Sequence, residues 1–83
     1  MSEVLIGTVS DFFAHVCVAG IDLAGPLKLG DQIRIKGHTT DLDLIVSSLQ
    51  IDRRDVSEAR AGDSVGISVP ERVRKGDQVY KVI

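Results

Sequence analysis

Nine side chains suited to binding an anion fall in three short stretches of this sequence. Arg53 and Arg54 adjoin Arg60, Arg72 precedes Arg74 and Lys75, and His38-Thr39-Thr40 sits between Gly37 and Asp41. A guanidinium presents a planar fork that matches phosphate or carboxylate through two parallel bonds, and an ammonium adds a point charge. If the two arginine stretches are loops at one end of a barrel, they make a basic patch for RNA phosphates or an acidic partner. The competing reading is a solvated face. Asp52, Asp55, Glu58 and Glu71 interleave with the cations, and exposed pairs of that kind contribute only about 0–1 kcal/mol. The Gly37–Asp41 stretch divides the same way, between a binding loop and plain turn chemistry.

Other reactive types are sparse. His15 and Cys17 sit two apart, and His38 is the remaining histidine. A zinc site needs about four ligands at a recognisable spacing, so no metal is expected. Cys17 is expected to be buried beside Val16 and Val18 as a small hydrophobe rather than to act as a thiol nucleophile. No nucleophile, base and orienting group recur together. The chain is therefore read as non-catalytic, with no cofactor.

Composition narrows the setting. Eighty-three residues with 43% hydrophobic content suffice for a single domain, 1–83, with one core. Phe12, Phe13 and Tyr80 are the only aromatics, so Val, Ile and Leu must fill that core, which favours strands. A net charge of −2 argues against strong non-specific nucleic-acid binding. One cysteine allows no internal disulfide and fits a reducing compartment. The first residues, Met1-Ser2-Glu3, do not resemble a signal peptide. No apolar run approaches the roughly 20 residues of a membrane span. A cytoplasmic chain with no membrane partner is expected.

The elements that must position these side chains read as strands. Val4–Val9 is interrupted by Gly7, which marks a bend or a close backbone approach. Asp11-Phe12-Phe13 forms a corner, with the two rings on opposite faces and one plugging a barrel end. Ala14–Leu23 is next, with Cys17, Ala19, Ile21 and Leu23 on one face; Gly25-Pro26 breaks it. Ile33 and Ile35 point inward from a half-buried strand. Leu42 to Arg53 is a long strand whose apolar parity switches, which predicts a bulge or bend near Val46–Ser48. Asp55–Arg60 could form one helical turn but is too short to nucleate a stable helix. Val65–Val69 and Val79–Ile83 complete six strands. Three Gly-Asp pairs, at 30–31, 62–63 and 76–77, each precede an apolar-alternating run. Glycine accepts a positive φ there, and Asp can bond nearby backbone N–H groups. The expectation is an all-β fold, a small closed six-stranded antiparallel barrel, since closure removes exposed edges.

The run Leu27-Lys28-Leu29-Gly30-Asp31-Gln32-Ile33-Arg34-Ile35 resembles a turn and strand in the second domain of translational GTPases such as elongation factor Tu. Glu58-Ala59-Arg60-Ala61-Gly62-Asp63-Ser64-Val65-Gly66 and Arg74-Lys75-Gly76-Asp77-Gln78-Val79 resemble later parts of that domain, in the same order. Ile35–Asp41 and Glu71–Asp77 are similar to the C-terminal barrel of collagenase-like peptidase-family proteins, several of which are linked to tRNA hydroxylation. Both resemblances imply a translation-protein β-barrel. The first implies docking to tRNA or the ribosome, with Arg53 at the family's arginine near the tRNA end. Gln50 and Asp52 depart from that family's Glu and Phe. There is no Gly-x-x-x-x-Gly-Lys-Ser/Thr loop, so no GTP binding by this chain is expected. The functional expectation is a binding module that docks to tRNA, rRNA or a translation or tRNA-modification partner. The alternative is a protein-interaction subunit that completes a partner enzyme or GTPase without touching RNA.

Overall fold

The computed structural model describes residues 2–83. Ten strands follow in order: β1 Glu3–Phe13, β2 Val18–Leu23, β3 Leu27–Lys28, β4 Gln32–Lys36, β5 Asp41–Ile45, β6 Gln50–Ile51, β7 Arg54–Asp55, β8 Glu58–Ala59, β9 Ser64–Ser68 and β10 Gln78–Val82. Eight form an antiparallel sheet in the order β5-β4-β10-β1-β2-β9-β6-β7, and β3 pairs with β8 apart from it. Branched aliphatic residues fill the interior. Ile21, Ile33, Ile35 and Val79 are fully buried, and Leu27, Leu49 and Ile67 nearly so. Phe12 packs against this core from the end of β1, while Phe13 turns outward.

The all-β expectation holds, but the closed six-stranded barrel does not. The long strand expected from Leu42 to Arg53 is two strands, separated at Val46–Leu49 where the parity switches. Its halves go to opposite ends of the sheet: β5 pairs with β4, and β6 with β9. The chain itself crosses the gap that the sheet leaves open. No helical turn forms at 55–60, because Val56 N–H donates back to Leu49 O (2.9 Å) and β8 pairs with β3. The second strand begins late, at Val18, because residues 14–17 form a turn. Cys17 lies in that turn with φ 53° and is exposed, contrary to the expected buried position.

The three Gly-Asp turns share one geometry. Gly30, Gly62 and Gly76 have φ of 89°, 94° and 95°, as a type II turn requires at its third residue. Each Asp carboxylate accepts from the N–H three residues back, namely Lys28 (3.0 Å), Arg60 (2.9 Å) and Arg74 (2.8 Å). Each turn also grips one buried residue by two backbone bonds. The Gly N–H groups donate to Val46, Leu23 and Val9 O at 2.8–2.9 Å, and those three N–H groups donate to Asp31, Asp63 and Asp77 O at 2.8–2.9 Å. Gly7 also has its expected close approach: a Cβ there would stand 2.7 Å from Asp22 O. The β1–β10 register shifts beside it.

Candidate binding grooves

The nine expected site residues do not converge. Arg53 lines a groove of about 600 Å³ with Phe13, Val16, Val18 and Gly66. Arg72, Arg74 and Lys75 line a separate one of about 230 Å³, with Phe12 and Asp11. No lining residue is common to the two, so the two arginine stretches do not line one groove. What does come together is the third stretch with the second. Arg74 Nε donates to Thr39 Oγ1 at 3.0 Å. His38 is exposed beside it, whereas Thr40 is only 8% exposed and serves the turn rather than a contact surface. Gly37 N–H donates to Thr40 O (2.8 Å), and any side chain at 37 would collide with the Asp77 carboxylate. Arg54 lies in β7 opposite Ile51, and Arg60 closes its Gly-Asp turn through its backbone.

The solvated ion-pair face is also absent from these loops. Ion pairs within 4.0 Å use Arg34, Lys36 and Lys81. Among the described residues none uses Arg53, Arg54, Arg60, Arg72, Arg74 or Lys75. Arg34 and Lys36 of β4 tie β5 on one side to β1 beyond β10 on the other. Arg34 makes a fork to Asp43 (2.6 and 3.0 Å) and reaches Glu3 (2.9 Å), which also takes Lys36 (2.9 Å). The hydrogen bond from Arg34, and then its charge, hold the Asp43 carboxyl below its ordinary 3.8; Arg34 is correspondingly raised.

The larger groove was visible in the sequence only through Arg53. Its apolar wall comes from the corner after β1: Val16 N–H donates to Phe13 O at 3.2 Å, leaving Phe13 44% and Val16 55% exposed. Its floor is bare at Gly66 of β9, which has no side chain and lies opposite Gln50 of β6. Its far rim is the β6–β7 hairpin. Ile51 pairs with Arg54, so Asp52-Arg53 is a two-residue loop, and its φ values of 52° and 63° make it a type I′ turn. The Phe12-Phe13 doublet and Gly66 are the further sequence features that could point to this groove. Neither is specific without knowledge of the strand pairing.

Among the described residues no cluster of three or more His, Cys, Asp or Glu side chains could hold a metal ion. His15 and Cys17 belong to the same turn. Among the described residues no helix is long and apolar enough to cross a membrane.

No protein-family model matches the chain. It is 43% identical over 79 residues to an uncharacterized protease of Methanocaldococcus jannaschii, covering 94% of this chain and 19% of that protein. It is 30% identical over 81 residues to a collagenase of Porphyromonas gingivalis, covering 95% of this chain and 20% of the collagenase. The chain thus spans about a fifth of the length of these relatives. Among solved structures, the C-terminal domain of a Geobacillus thermoleovorans protein assigned to the U32 peptidases superposes with a TM-score of 0.89 at 13% identity, over 95% of this chain and 92% of that one. Its selenomethionine variant gives 0.87. The chain is a small all-β domain similar to the C-terminal domain of U32 peptidase and collagenase-like proteins.

Proposed function

We propose that this domain is a non-catalytic binding module that completes a U32 peptidase-like enzyme, within one chain or as a separate subunit, in the cytoplasm. The observation that carries the reading is the coverage of the matches. Nearly all of this chain corresponds to a fifth of each protease-like relative, which leaves the greater part of those proteins to hold the reaction. Affinity capture of the chain from native lysate, with and without RNase, tests this. A protein carrying a U32 peptidase-like catalytic part is expected in both arms. Its absence from both, with no such catalytic part encoded in the same chain, overturns the reading.

A second reading, docking to tRNA or rRNA on a translation-protein type of scaffold, is favoured by one observation. Arg72, Arg74 and Lys75 share a groove with Phe12 against the single carboxylate of Asp11, and none of the three cations is in an ion pair. Cations interleaved with an aromatic suit a single strand, with phosphates on the former and a base on the latter. Binding of tRNA that falls with salt at a log–log slope of roughly −0.7 to −0.9 per phosphate contact, and that weakens when all three cations become alanine, is the expected result. Salt-independent retention, or retention unchanged by the triple substitution, overturns it.

A further inference from the structure

We propose that the groove between Phe13 and Arg53 binds the C-terminal end of a peptide, with the last apolar side chain against Phe13, Val16 and Val18 and the α-carboxylate on the Arg53 guanidinium. Four observations carry this. The wall is apolar and open, with Phe13 and Val16 about half exposed side by side. The floor is kept clear: a Cβ on Gly66 would stand 3.3 Å from Val18 Cγ1, so a side chain there would fill the space. The space so cleared, about 600 Å³, lies within the range of small-ligand sites.

The third observation is backbone strain. Among the described residues the only non-glycine positive φ values are at Cys17, Asp52 and Arg53, and all three lie in the two turns that frame this groove. A type I′ hairpin favours Asn-Gly. Arg at its second position is a costly choice for the backbone, and the compensating gain is a guanidinium held on the groove rim. Strain of this kind concentrates at ligand-binding sites.

The fourth is charge. Arg53 has no acidic partner within 4.0 Å among the described residues, yet Asp52 adjoins it and lines the same groove. With one cation and one carboxylate, the groove does not favour a polyanion. It suits an apolar body bearing one negative charge, and a chain-terminal carboxylate on an apolar residue has that form. A carboxylate on guanidinium supplies a charge-assisted pair of bonds.

This rests on reading the domain as a binding module, and not on which enzyme it serves. The 15N-labelled chain is titrated with the pentapeptide Gly-Gly-Gly-Ala-Leu carrying a free α-carboxylate, and separately with its C-terminal amide. Amide-resonance shifts are expected at Val16, Val18, Arg53 and Gly66, with the acid binding at least tenfold tighter than the amide. Arg53→Gly should abolish that preference while melting no lower than the parent chain, so lost binding cannot be put down to lost structure. Equal binding of acid and amide, shifts confined to other surfaces, or a preference that survives Arg53→Gly overturns the proposal. So does a short oligouridine that displaces the peptide from these residues at lower concentration. A failed capture of a U32 peptidase-like protein would leave this titration standing, and a flat titration would leave the capture standing.

Discussion

Arg53 occupies a backbone conformation that glycine prefers by about 1 kcal/mol or more. Arg53→Gly is therefore expected to raise stability by about 1 kcal/mol, less some loss from glycine's freer unfolded state. A rise in the urea midpoint at constant m-value would show it. Gly37 is the opposite case. The Asp77 carboxylate lies where its side chain would begin, so Gly37→Ala should push that carboxylate off the Arg74 N–H and cost about 2 kcal/mol, read as a fall in the same midpoint. Both arginine stretches and the Gly37–Asp41 hairpin could be found by residue type alone. Their separation could not, because which loops meet depends on strand order, and Thr40 looked available although its neighbours bury it. Phe13, Val16 and Gly66 escaped notice because each is ordinary until β2 lies beside β9.

The Gly-Asp turns were the most legible elements, since glycine, a following Asp and an alternating run report a local geometry with little help from distant contacts. Their energetic ranking is not local. Asp77 is only 5% exposed, and Asp63 is more accessible. Asp77→Ala should cost about 1–3 kcal/mol and Asp63→Ala less, because an N–H left unpaired in a buried site loses its access to water; parallel urea curves of the two variants check the order. The Arg34–Asp43 fork between β4 and β5 adds a pH term. The folded carboxyl titrates below its ordinary 3.8, so its contribution is complete above that value and disappears as pH falls through the lower folded one. Asp43→Asn should therefore lower stability slightly above about pH 4, where the ionised pair contributes, and leave the more acidic region almost unchanged, so that its acid limb is flatter in titrations of thermal midpoint. The split of the fourth expected strand was half legible: its parity switch marked the break. The destination of each half was hidden, because only tertiary pairing sends β5 to one sheet end and β6 to the other.

At the scale of the whole molecule, the sheet remains open in hydrogen bonds yet continuous in chain. The span Val46–Leu49 joins β5 at one end to β6 near the other, and the β3–β8 pair stands apart from the sheet. β1 pairs with β10 and Ser2 exchanges two backbone bonds with Ile83, so the fold depends on contacts between its most distant residues. Topologies dominated by such contacts fold in about milliseconds to seconds, and stopped-flow refolding in that range is expected.

The three Gly-Asp turns have one more consequence, in exchange with solvent. Each turn shields a matched pair of amides, Gly30 with Val46, Gly62 with Leu23, and Gly76 with Val9. These six protons report the release of three separate grips on one core. If they exchange with deuterium at a common free energy, the domain opens as one unit. If one pair exchanges sooner, it marks where the fold first gives way.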